Sequence, residues 1–186
     1  VTAVFSSRTG GRYLAARPAC RYDTTGASWL VRSYYRARAR IPTNQSAIWG
    51  AGAYAVTAAG HERFKRFPPV TADDSFVDGL FENSEKVVVP VGAPVTVYTP
   101  RTAPGLLAIL ARQRRGITEL GTVSTTPDSV RALVASARGP ASAVDALCYG
   151  VLTFLGRLRA RPAPDASAQR WERDASSRVT PPNVAA

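Results

Sequence analysis

The run Val70-Thr71-Ala72-Asp73-Asp74-Ser75-Phe76-Val77-Asp78 constrains the fold of this chain most. It follows an apolar, proline-bearing approach, Phe67-Pro68-Pro69, and leads into apolar residues at helical spacing, Phe76, Val77, Leu80 and Phe81. Two adjacent carboxylates therefore stand where extended chain turns into a helix. An ionised Asp there meets free backbone N–H groups and the positive end of the helix dipole, which favours the charged, proton-accepting form. Two roles fit the position: Asp74 as the cap of this helix, or Asp74 as a carboxylate held at the edge of a site.

Around this junction the chain alternates short apolar runs with amphipathic ones, which predicts an α/β fold. Trp29, Leu30, Val31, Tyr34 and Tyr35, interleaved with Arg32, Arg36, Arg38 and Arg40, predict a helix that ends at Ile41-Pro42. Lys86 to Val91 and Pro94 to Tyr98 are β-branched and predict two short strands, separated by Gly92-Ala93. Thr102 is placed to cap a helix carrying Leu106, Leu107, Ile109 and Leu110, with Arg112, Arg114 and Arg115 expected at its end, where cations suit the dipole. Val130, Leu133, Val134 and Ala137 mark a further helix, broken by Gly139-Pro140. A last amphipathic stripe runs from Val144 to Leu158 and ends in Arg157, Arg159 and Arg161. From Pro162 the composition turns to Pro, Ala, Asp and Ser and reads as an extended or disordered tail. Three units follow: 1–121, an amphipathic helical segment at 122–161, and the tail at 162–186.

A length of 186 residues suits one core-forming domain. The net charge of +11 is almost entirely arginine, with lysine only at 65 and 86, in a chain rich in Ala, Gly, Pro and Val. That bias matches a high-GC codon preference, so charge alone does not select a nucleic acid or an anionic membrane as partner. Cys20 and Cys148 are far apart, and no Cys/His spacing suits zinc, which points to a reduced, cytoplasmic setting. Residues 1–20 hold no signal-peptide core, and no apolar stretch approaches the ~20 residues needed to cross a bilayer. His61 sits among Glu62, Arg63, Lys65 and Arg66 as a solvated residue.

Upstream of the acidic pair lies Trp49-Gly50-Ala51-Gly52-Ala53-Tyr54-Ala55-Val56, whose small residues let a ligand approach the backbone closely. Downstream lie Pro100-Arg101 and Arg112-Gln113-Arg114-Arg115-Gly116. This ordered set, over roughly residues 20 to 121, resembles the acceptor-side half of a family 2 glycosyltransferase of the GT-A type. In that family a small-residue segment precedes an acidic "ED" motif, and a "QxxRW"-like basic motif follows on a helix. Asp73 stands where the family often has Glu, Arg112 where it has Gln, and Gly116 where processive members have Trp. The resemblance thus implies a single-addition enzyme rather than a processive polymerase. The family's Asp-x-Asp motif, which holds a divalent metal (Mg or Mn) against the sugar nucleotide, does not occur here. The resemblance therefore implies a partial GT-A fold without its N-terminal nucleotide-binding half, inactive by itself, with the metal ligands outside this chain.

The implied activity is transfer of a sugar from a nucleotide sugar to an acceptor hydroxyl with inversion. Asp74 is the expected base and Asp73 its orienting neighbour, Gly50, Ala51 and Gly52 line the substrate, and Arg112, Arg114 and Arg115 meet the diphosphate or the acceptor. The alternative is a non-enzymatic basic module binding nucleic acid, by stacking on Tyr34 or Tyr35, or an anionic membrane surface at the inner face of the cell membrane. Nothing in the chain resembles an RNA-binding motif, so nucleic acid is the weaker partner.

Overall fold

A computed structural model describes residues 13–42, 46–70, 72–90, 94–121, 126–135 and 137–160, with side chains of 126–130 excepted. The sequence readings for Arg161 and the tail at 162–186 lie outside these residues. The described residues are mixed α/β, 53% helical and 14% strand, so helices supply most of their packed surface. In chain order come β1 (Ala15–Pro18), β2 (Cys20–Asp23), α1 (Trp29–Ala39), β3 (Ala55–Val56), α2 (Ala58–His61) and α3 (Asp73–Gly79). There follow a 3-10 turn (Asn83–Glu85), β4 (Lys86–Val89), β5 (Val95–Tyr98), α4 (Ala103–Glu119), α5 (Thr126–Ala135) and α6 (Pro140–Arg159).

The two predicted strands do not meet each other. β4 lies parallel to β1, with Ala15 opposite Lys86, and β5 lies parallel to β2, with Cys20 opposite Val95. Ala19 joins the two pairs: its N–H donates to the Val89 carbonyl at 3.0 Å and its carbonyl accepts from Val95 at 2.9 Å. Residues 15–23 thus run alongside 86–89 and 95–98 as one interrupted parallel ribbon, and β3 adds antiparallel to β1. Parallel pairing requires a crossover, and α1 to α3 fall within it.

The helical layer has its own core. Val31 and Tyr34 of α1, Leu106 and Leu107 of α4 and Leu152 of α6 close on one another, with Ala27 beneath. α5 packs there too, placing Leu133 against Ala37 and Ile41. Thr102 caps α4 as expected, its hydroxyl accepting from the Gly105 N–H at 3.3 Å. A second core, under the candidate site, joins Ala15, Ile48, Val77 and Phe81.

The absence of any bilayer-length apolar segment needs correction. α6 is long and apolar enough to cross a membrane by length and composition, with a mean hydropathy of 1.3 over its best window. Asp145, Gly150 and Thr153 break up the stretch, and its mean stays apolar because Leu, Val, Ala and Phe make up half of α6.

Candidate functional site

The small-residue segment forms a turn at Trp49–Gly52 in which Gly50 has φ +89° and Gly52 φ +71°, left-handed values that L side chains rarely adopt. At Gly50 space also excludes a side chain, since a Cβ would stand 3.0 Å from the Tyr22 hydroxyl. The turn is clamped on both sides. The buried Arg17 donates from Nε to the Ala47 carbonyl, and the Ile48 N–H donates to Asp78 Oδ1 at 2.7 Å. Asp78 is fixed in turn by the Lys86 ammonium at 3.0 Å. The Tyr22 hydroxyl donates to the Gly50 carbonyl at 3.2 Å, and the Arg38 guanidinium lies over the Tyr22 and Trp49 rings, 5.6 and 5.0 Å from their centroids.

α3 brings the carboxylates to this turn. The cap role expected for Asp74 is not what the backbone adopts: Ala72 is the N-cap residue, and Asp73 and Asp74 are the first two helical residues. Asp74 is half-buried, and its Oδ1 accepts from the Ser75 N–H at 2.7 Å. The Gly50 N–H also donates to it. Burial, joined by the neighbouring Asp73 charge, raises the Asp74 carboxyl above its ordinary range despite these two donors. Asp73 is exposed, and its Oδ2 accepts from the Tyr54 hydroxyl at 3.1 Å. Burial and the Asp73 carboxylate push the Tyr54 phenol upward, which keeps it a donor. Tyr54 carries no role in the sequence-level assignment, although its place in the quoted small-residue segment was the available signal.

The third segment arrives through a glycine. Gly116 of α4 is buried against Ala72, close enough that a Cβ there would stand 2.6 Å from the Ala72 Cβ. The basic motif therefore meets the acidic motif backbone to backbone. Helical geometry then sorts the arginines. Arg112 lies one turn before Gly116, on the same face; Arg115 is a quarter-turn away; Arg114 falls on the opposite side. All three are half-buried. They also lie inside α4, which continues to Glu119, so the expectation that they end the helix is corrected: Ile117 and Thr118 extend it past Gly116, and none of the three belongs to its last turn.

Tyr34 is buried and stacks on Tyr149 at 4.8 Å, and Tyr35 packs against Tyr22 at 4.9 Å. Among the described residues no cluster of three or more His, Cys, Asp or Glu side chains is placed to hold a metal ion. Asp73 and Asp74 are two adjacent carboxylates engaged by Tyr54 and Ser75. Comparison of the chain with protein-family models, curated proteins and solved structures finds no match to any of them.

Proposed function

We propose that this chain carries the acceptor-side part of an inverting, non-processive glycosyltransferase with a GT-A fold, acting on a nucleotide sugar and a hydroxyl acceptor. One observation carries the proposal. The turn at 49–52, the carboxylates at 73–74 and the Gly116 face of α4 are far apart in the chain, yet Asp74 accepts from Gly50 and Ala72 abuts Gly116. A carboxylate serving only to start a helix gives no reason for that convergence.

Asp74 is the group that takes the acceptor's proton. Its burial raises its affinity for a proton while Gly50 and Ser75 hold the carboxylate in place, the combination a general base needs. Tyr54 orients Asp73 beside it. The backbone at Gly50–Gly52 leaves room for the acceptor. Arg112, with Arg115 at the flank, supplies positive charge where the nucleoside diphosphate departs. Donor and metal binding fall to a half outside these residues, because the sequence holds no Asp-x-Asp; no step here runs through the metal.

The test uses a polypeptide joining these residues to a donor-binding half, supplied with nucleotide sugars and hydroxyl acceptors. Proton NMR of the fresh product should show the anomeric configuration inverted. A retained configuration overturns the mechanism, and transfer undiminished by Asp74→Asn removes Asp74 from it.

A further inference from the structure

We infer that the outer face of α6 is a docking surface for an anionic lipid bilayer, on which the helix lies flat. The inner face of α6 is occupied: Asp145, Cys148, Leu152 and Gly156 are buried. On the other side Val144, Leu147, Val151, Phe154, Leu155 and Leu158 are all exposed, Leu147 by 67% and Phe154 by 59%. At 100° per residue these six side chains fall within an arc about 100° wide, and no polar or charged side chain interrupts it. Monomeric soluble surfaces rarely carry so continuous an apolar stripe.

Charge selects the occupant. Arg157 and Arg159 project just beyond the two edges of the arc, one on each side. α6 carries a single acidic residue, Asp145, and it lies on the buried inner face. That carboxylate is consumed internally, by Arg36 at 2.8 Å and Arg40 at 3.2 Å. An apolar stripe with arginine borders matches the acyl boundary beneath a layer of lipid phosphates.

The same contacts decide between lying on a membrane and spanning one. Tyr149 stacks on Tyr34, Gly156 abuts Leu110, and Asp145 also accepts from Ser33 at 2.7 Å, so the inner face is locked into the protein. Insertion across the bilayer would strip these contacts and carry a charged cluster into hydrocarbon. The inference is independent of the proposed enzymatic activity.

The test is co-sedimentation of the 186-residue chain with phosphatidylcholine vesicles, with and without about 30% phosphatidylglycerol. The wild type should bind the anionic vesicles and retain part of that binding in about 0.5 M salt, which screens charge but not apolar insertion. Leu147→Ser with Phe154→Ser keeps every charge and removes exposed apolar area, and should lower the partition coefficient at least about tenfold. Val144→Ser with Val151→Ser repeats the test at other positions should the first variant lose its helical circular dichroism. Absence of binding to anionic vesicles overturns the inference. So does variant binding equal to wild type, or complete loss of binding in salt, either of which reduces the effect to bare charge. A lipid-free dimer that both serine variants dissociate would assign the stripe to a second copy instead.

Discussion

Adding one methyl group at Gly116 is expected to destabilise the protein, although the same substitution elsewhere in its helices should stabilise it. Alanine is favoured over glycine in a helix interior by about 1 kcal/mol, so Gly116→Ala begins with that gain. Against it stands a Cβ 2.6 Å from the Ala72 Cβ, 3.2 Å from the Ala72 nitrogen and 3.5 Å from its Cα. Ordinary carbon contacts begin near 3.5 Å, and the obstacle is backbone and Cβ rather than the tip of a flexible side chain, so one segment must recoil. Overpacking of this kind costs about 1–3 kcal/mol, which gives a net loss of up to about 2 kcal/mol. Gly150 of α6 is the internal reference: it is exposed with nothing within 4 Å of an added Cβ, so Gly150→Ala should gain about 1 kcal/mol. Urea unfolding of the three proteins measures both. Ala72→Gly removes the nearest obstacle, and in the double variant it should recover about 1 kcal/mol or more beyond additivity. If Gly116→Ala stabilises as much as Gly150→Ala does, α4 does not rest on Ala72 and the meeting of the basic and acidic motifs is refuted.

Asp74→Asn should raise the melting temperature at neutral pH, because burial disfavours the charged carboxylate while Asn still accepts from Ser75 and Gly50. That gain should shrink as pH falls through the raised carboxyl pKa, where the wild type is protonated too; in the joined enzyme the same variant should lose about 10²–10⁴ in turnover. Asp145 has the opposite sign: hydrogen bonds from Arg36 hold its pKa down at about 2, so its stabilisation is complete above the unfolded value of 3.8 and lost as pH falls toward 2. The difference in unfolding free energy between wild type and Asp145→Asn, about 1–2 kcal/mol at pH 7 after allowing for the exposure of Arg36, should therefore shrink below pH 4; a constant difference refutes the linkage. Arg112→Lys in the joined enzyme should cost at least about tenfold in kcat/KM, roughly 1.4 kcal/mol, while Arg114→Lys should cost little; the reverse order would mean that α4 presents its other face.

Local chemistry made several elements legible. The periodicity of α1, α4 and α6, the Thr102 cap, the break at Gly139-Pro140 and the acids opening α3 all depend on residues within about four positions of one another, the range over which helical hydrogen bonds and caps operate. β4 and β5 were visible because Val87, Val88, Val89, Val95 and Val97 are β-branched. β1 and β2 were not: Ala-Ala-Arg-Pro and Cys-Arg-Tyr-Asp contain no β-branched residue and become strands only because distant partners supply the hydrogen bonds.

The candidate residues were legible as types and the arrangement was not. Residue order along the chain cannot state that Gly50 donates to Asp74, that Ala72 needs Gly116 to lack a side chain, or that Tyr54 reaches Asp73. The sequence shows Arg112, Arg114 and Arg115 on α4 as equivalents, and only the packing of Gly116 chooses Arg112 from among them. α6 shows the same division. Its sequence determines a helix apolar around most of its circumference, and the tertiary structure decides which side is core, because Asp145 can be buried only where Ser33, Arg36 and Arg40 converge on it.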